Sequence, residues 1–242
     1  MPDFNPGNFF LLALNDEGGH RVQRSYSIAS LKEEGYLQFC IKLRGIFTHM
    51  LWKQKIGDTI EVAGPFGLFT LLPNDIERVF IGGGVGISPL RAMVLQTLKE
   101  GKKACLFHSA HTFEELAYYA EFKKLARENP LLRYFPCITR KAPEDWLGLC
   151  QRLSIPVIEQ EIEGVEDKSF YFCGSKKMEK EMVDGLLAEG VPREKIKSEA
   201  AKHGVNDDFR RAEPILELAA VKHELQRPDA EAERCKADEV EM

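Results

Sequence analysis

The sequence predicts a small antiparallel β-barrel or sandwich followed by a doubly wound α/β domain. Residues 8–72 hold short apolar or alternating runs broken by turn-forming segments, the rhythm of an antiparallel β domain. From Arg78 onward, apolar strands alternate with helical patterns, which calls for a parallel sheet with crossover helices. Near the start of that second part stands FIGGGVGISPL, Phe80–Leu90, where a strand runs through glycines into a helix.

In the first part the predicted strands are NFFLLAL (8–14), RSYSIAS (24–30), YLQFCIKL (36–43) and DTIEVAG (58–64). NDEGGH, KEEG and QKIG separate the runs as turns. Alternation along RSYSIAS puts Arg24, Tyr26 and Ile28 on one face and Ser25, Ser27 and Ala29 on the other. In GIFT, Gly45–Thr48, Thr48 is placed to cap a helix HMLWKQK; equally, its hydroxyl and the nearby amides could meet a phosphate. GPFGLF (64–69) by itself is a turn, and PND (73–75) is a linker. These breaks set the expected domains at 1–74 and 75–199, with a tail at 200–242.

In the second part RVFIGGG (78–84) is a strand, and SPLRAMVLQTLKEG (88–101) a helix that Gly101 stops. KACLFHSA (103–110), RYFPCITR (133–140) and SFYFCGS (169–175) are further strands. TFEELAYYAEFKKLAREN (112–129) and KKMEKEMVDGLLAEG (176–190) are helices. In the acidic tail, EPILELAAVKHELQ reads as one helix with an apolar stripe through Leu218, Val221 and Leu225, and the residues beyond it as disordered. It is a solvated appendage or a docking element for a partner.

Composition narrows the function. With 242 residues and 44% hydrophobic side chains, the chain can build two cored domains. The net charge of −5 argues against nucleic acid as the partner. No apolar run approaches the roughly 20 residues of a membrane helix, and FFLLAL follows Asp3 without the basic flank of a signal peptide. The six cysteines are scattered without a C-x-x-C pair, which argues against zinc or an iron–sulfur cluster, so no metal site is expected. Most sit in apolar runs as reduced thiols, which points to the cytoplasm.

The glycine run suits a phosphate. Glycines admit backbone amides to close approach, and the helix N-terminus that follows supplies a positive dipole. It is not G-x-G-x-x-G: Gly82, Gly83, Gly84 and Gly86 are spaced differently. Arg24-x-Tyr26-Ser27, Gly45-x-x-Thr48, Gly64-Pro65-x-Gly67, the Gly82–Pro89 run and Cys173-Gly174-Ser175 follow one another in that order. Over residues 4–200 this set resembles the ferredoxin–NADP reductase superfamily, in which a flavin-binding β-barrel precedes a nicotinamide-binding α/β domain.

The resemblance implies FAD rather than FMN as the flavin, on the Gly45-x-x-Thr48 motif. It places Tyr26 against the isoalloxazine, Ser27 near its N5, Arg24 on a flavin phosphate, and the main chain of Ile28, Ala29 and Ser30 along the ring. Ser25, Lys42, Gly45, Phe47 and Thr48 complete the flavin side. Gly83, Gly84 and Gly86 would pass under the pyrophosphate of NAD(P)H, with Ser88 and Pro89 toward the nicotinamide and Gly174, Ser175 and Met178 beside it. Cys173 would lie by the hydride-transfer path; read alone, it is a buried small hydrophobe. Where NADP-using members carry serine and arginine after the second strand, this chain has Ala110 and His111, which tilts the choice toward NADH, although Arg140 could restore NADP. The implied function is a flavin-dependent oxidoreductase moving a hydride between NAD(P)H and FAD, then electrons to ferredoxin, flavodoxin or another separate acceptor. The alternative is a non-catalytic or partner-dependent subunit of a larger complex.

Two departures bear on this. Family members begin with one or two strands before the stretch matching residues 4–14, so the barrel is expected to lack an edge, covered by a partner, another protomer or the tail; a truncated gene is the plain alternative. They also end with an acid and an aromatic near the flavin. Glu199 fits the acid, but Ala200 and Ala201 replace the aromatic. Glu199 is thus a candidate catalytic acid with Ser27 and Cys173, and a solvated glutamate is the expectation.

Overall fold

The computed structural model describes residues 2–73, 77–199 and 216–217. The chain builds two sheets. In the first, β1 (Phe9–Asn15) is central, with β2 (Arg21–Ser27) antiparallel on one side and β3 (Glu61–Phe66) antiparallel on the other. The β1–β2 turn closes because the Asp16 carboxylate accepts the Gly18 and His20 amides at 2.9 and 2.8 Å. Register sets Phe10 opposite Tyr26, and Leu12 opposite both Arg24 and Val62. Phe10, Leu12, Ile28 and Val62 form the core of this half with Phe47 and Leu51 of helix α1 (Ile46–Lys53).

Two expectations for this half need correction. Residues 36–43 are not a strand; an isolated bridge between Ile28 and Phe39 is the pairing described there. The segment crosses toward the second sheet instead of running along a neighbour. Gln38 O accepts the Ala29 amide at 2.7 Å, while the Cys40 amide reaches Ser88 Oγ at 3.2 Å. Thr48 does not cap α1 but lies inside its first turn, where Oγ1 accepts the Arg44 amide at 2.7 Å and donates to Gly45 O at 3.0 Å. Among the described strands the barrel does not close.

The second sheet is wholly parallel. It contains β4 (Glu77–Gly83), β5 (Lys103–Ala110), β6 (Leu132–Ile138), β7 (Lys168–Cys173) and β8 (Ile196–Ser198), in the order β6-β5-β4-β7-β8. Phe80, Leu106 and Tyr171 face one way, against Leu90, Met93 and Val94 of α2 (Ile87–Lys99) and Phe122 of α3 (Tyr119–Glu128). Val79, Ile81, Phe107, Phe170 and Phe172 face the other, against Ile155 and Ile158 of α4 (Ile155–Glu161) and Met182 and Leu186 of α5 (Lys176–Ala188). Alternation in strands buried on both faces makes this the doubly wound sheet expected.

The single helix expected over 112–129 is broken. A short 3-10 turn, Phe113–Glu115, comes first, and Tyr118 takes φ 63° before α3 begins. The break lets Leu116 join Ala110 and Ile138 in a cluster of their own, while Phe122 serves the main core. The helix α4 and the strand β8 were not expected; at seven and three residues, neither is long enough to show a period. The expected linker at 73–75 and the tail helix fall almost wholly outside the described residues. Of the tail, Leu216–Glu217 forms β9, antiparallel to β3 rather than helical.

The end of the first half is tied to the second sheet. Buried Arg78 donates to Leu72 O at 2.9 Å, Thr97 Oγ1 at 3.0 Å and Glu100 Oε2 at 2.9 Å. The Leu72 amide donates to Tyr171 Oη at 2.9 Å.

Candidate active site

In a doubly wound sheet, ligands bind outside the carboxyl ends of strands where the order reverses. Here α2 leads from β4 to β5, and the later strands return to β4's other side, so this rule puts the ligand crevice at the ends of β4 and β7. Gly82 of β4 pairs in register with Cys173 of β7. The glycines there divide the work. A Cβ on Gly86 would stand 2.1 Å from the Cys173 carbonyl oxygen, so Gly86 is needed for strand-end packing. Gly84, with φ 55°, would meet nothing within 4 Å, and its backbone faces open space. Gly83 packs on Met178 and Gly174, and Ser175 Oγ caps α5 by accepting the Met178 amide at 3.3 Å.

Glu199 joins the two halves at this crevice. Its amide donates to Phe172 O at 3.1 Å, which sets it beside β7. Ser27 Oγ donates to Glu199 Oε1, and Cys173 Sγ donates to Oε2 at 2.5 Å. The expectation of a solvated glutamate is therefore corrected: two side chains from different sheets hold one carboxylate. Burial, and then the Glu199 charge, push the Cys173 thiol well above its ordinary value, so it stays a protonated donor.

Ser88 ties the two halves together as well. Its hydroxyl donates to Ser27 O at 2.7 Å and accepts the Cys40 amide at 3.2 Å, so the side chain is committed to the contact between the halves. Pro89 is buried beside it in α2. On the first-half side, Ile28, Ala29 and Ser30 are buried, and Ser30 Oγ is held between Tyr36 O and the Gln38 amide at 2.8 and 3.0 Å. Only their main chain can edge a ligand. Tyr26 stacks on Phe47 at 6.2 Å and 18°, and the Arg24 guanidinium lies 6.0 Å from the Phe47 ring centre. Arg24 and Ser25 are exposed beside this stack. Gly45, φ 82°, stands at the start of α1 with open space where a Cβ would be.

The structure brings His111 and Arg140 together at the ends of β5 and β6. The Arg140 amide donates to His111 O at 3.2 Å, and His111 Nδ1 lies 3.0 Å from Thr139 Oγ1. Glu115 was not foreseen. It accepts the Lys42 ammonium at 2.6 Å, across the two halves, and the His111 amide at 3.4 Å. The Lys42 hydrogen bond holds its carboxyl below the usual range, burial opposing. An acid beyond the second strand of an α/β unit was the available signal. No group of three or more His, Cys, Asp or Glu among the described residues is placed to hold a metal.

A family model described as an oxidoreductase FAD-binding domain matches residues 3–71, and one described as an oxidoreductase NAD-binding domain matches residues 80–184. The chain belongs to the ferredoxin reductase-like family of FAD/NAD oxidoreductases. A ferredoxin NADP+ reductase from Neisseria gonorrhoeae, solved with bound FAD and NADP, superposes with a TM-score of 0.66 at 26% identity, over 81% of this chain and 86% of that one. The ferredoxin reductase in carbazole 1,9a-dioxygenase gives 0.69 at 26% identity, over 81% and 60%. In Methylococcus capsulatus, the Na(+)-translocating NADH-quinone reductase subunit designated F is 32% identical over 193 residues, covering 72% of this chain and 47% of the relative. Its counterpart in Klebsiella pneumoniae is 31% identical over 192 residues with the same coverage. The chain thus spans about half the length of these curated relatives.

Proposed function

We propose that the chain is an FAD-dependent oxidoreductase that accepts reducing equivalents from NADH and passes electrons to a separate redox protein or partner subunit. The observation that carries this reading is the single carboxylate, Glu199, held by Ser27 of one half and Cys173 of the other at the reversal of the parallel sheet. The residues present suit FAD. The Tyr26–Phe47 stack offers a flat apolar wall, exposed Arg24 beside it offers a cation for phosphate, and the start of α1 at Gly45, which has no side-chain cap, offers a helix N-terminus to an anion. Bound FAD supplies the two-electron exchange with nicotinamide and the one-electron delivery onward.

The chain's own part is placement. Gly83 and Gly84 admit the nucleotide pyrophosphate, while Gly86 lets the ends of β4 and β7 meet closely enough to shape the crevice. Ser27 holds its hydroxyl proton toward Glu199, and Cys173 keeps its proton, so neither is a nucleophile. Ser88 fixes the Ser27 main chain. His111 and Arg140 flank the adenosine end, where the Glu115 charge disfavours a 2′-phosphate and supports NADH over NADPH. The free thiols at Cys40, Cys105, Cys137, Cys150 and Cys173 suit a reducing compartment such as the cytoplasm. No helix among the described residues is long and apolar enough to cross a membrane.

A second reading, a subunit competent only in a complex, has one observation in its favour. The first sheet stays open, and β2 pairs with β1 alone among the described strands. One experiment separates the two. The purified chain is mixed with excess FAD and freed of unbound flavin, its spectrum is recorded, and NADH and then NADPH are added without oxygen. Retained flavin that NADH bleaches supports the oxidoreductase. Loss of all flavin on the column supports the partner-dependent subunit.

A further inference from the structure

Ser88 and Arg91 lie one helical turn apart on α2, and both reach across to main-chain carbonyls of the other half. Ser88 Oγ donates to Ser27 O at 2.7 Å, and Arg91 Nη1 donates to Ala29 O at 2.8 Å. The two carbonyls are two residues apart, on one edge of the segment that directly follows Tyr26. The helix that grips them begins directly after the glycine run. We propose that Arg91 is a positioning residue that fixes the Ser27–Ala29 main chain in register with the glycine loop; the proposal rests on the oxidoreductase reading above.

Arg91 is built for orientation. The guanidinium commits every N–H it has: Nε and Nη2 to the Glu121 carboxylate at 2.8 and 2.7 Å, Nη2 and Nη1 to Glu34 at 3.0 and 3.1 Å, and Nη1 to Ala29 O. Its side chain is 7% exposed and lies 5.3 Å from the Tyr118 ring centre. Three segments therefore converge on one planar fork: the main chain after β2, the turn at Glu34 and helix α3. Buried ion pairs of this kind add little net stability over well-packed apolar residues, because desolvation offsets the attraction. What a fork does add is direction, since two parallel hydrogen bonds fix an angle as well as a distance. Ser27 also donates to Glu199, so a shift of this segment would be felt at both ends of the crevice. On the same helix, Lys99 pairs with Glu33 in solvent, at the turn that carries Glu34 but with no bond to the Ser27–Ala29 main chain, which makes Lys99 a control for the main-chain contact itself.

The test compares FAD-loaded full chain with Arg91→Gln, Arg91→Lys and Lys99→Gln. The first readout needs no turnover: amide hydrogen exchange across residues 24–31, where the Ile28 and Ala29 amides are held by Asn8 O and Gln38 O. The second is rapid-mixing reduction by NADH, separating the limiting rate from the apparent Kd. Expected for Arg91→Gln are exchange at 27–30 faster by about tenfold and a limiting rate lower by about tenfold, as misplacement of a reacting pair would give. The NADH Kd should stay within about threefold, with Arg91→Lys between and Lys99→Gln like wild type. Unchanged exchange and rate would overturn the proposal, as would faster exchange spread evenly over β1, β3 and α2. If wild type keeps FAD but NADH leaves it oxidised, the oxidoreductase reading fails, while the exchange readout still decides the role of Arg91. Should Arg91→Gln not fold, Arg91→Lys and Glu121→Gln carry the same comparison.

Discussion

At Gly86 the backbone, with φ in a region any residue adopts, leaves no room for a methyl group. The Cys173 carbonyl oxygen and carbon would lie 2.1 and 2.5 Å from it. Both are main-chain atoms, so relief requires that one strand end move. We expect Gly86→Ala to lower stability by about 1–3 kcal/mol and to weaken nucleotide binding, read by denaturant unfolding and by titration with NAD+. His108 sets a pH dependence instead. It is fully buried in β5, its Nδ1 is 3.2 Å from Tyr134 Oη, and its Nε2 has no partner among the described residues. Burial pushes its pKa down to about 3. The unfolded chain binds a proton near pH 6.5 that the folded chain refuses, so stability falls as pH drops below that value, by at most about 1.4 kcal/mol per unit. In His108→Leu the fall between about pH 6 and 5 should be shallower, whatever the variant's absolute stability.

Among the elements, α2 does the most. Its first turn follows the glycine run, its apolar side packs on β4 and β5, and its Ser88 and Arg91 hold the segment after β2. Glu34, which shares Arg91, gives this contact an acid limit. Burial opposes ionisation, but hydrogen bonds from Arg91 and the Leu31 amide outweigh it and depress the Glu34 pKa. A depressed folded-state value means that the contribution is present above the ordinary 4.5 and lost as pH falls through and below it. Glu34→Gln should flatten the stability profile in that acid range while leaving the His108 range above it unchanged, as thermal melts across pH would record.

For the whole molecule, the crevice belongs to neither half alone. Ser27 and Glu199 meet across it, and so do Lys42 and Glu115. Nucleotide choice is therefore expected to answer to a residue outside the glycine run. Glu115→Gln should narrow the ratio of kcat/KM for NADH over NADPH by about tenfold, the scale of one partly screened charge near a phosphate. An unchanged ratio would return the choice to His111 and Arg140. The sequence by itself determined the two-part architecture, because the short apolar run of β1 between turn-forming segments and the strand–helix rhythm after Arg78 are local patterns that burial enforces wherever they occur. It also placed the glycine run and the Arg24–Ser27 stretch, whose residue types are unusual without a ligand. Only the tertiary structure decided that residues 36–43 leave the sheet, that Ser88 serves the contact between halves, and that Glu199 is held rather than solvated. It alone revealed Arg91 and Glu115. These depend on partners far away in the chain, 172 residues in the case of Ser27 and Glu199, and no local period records such a distance.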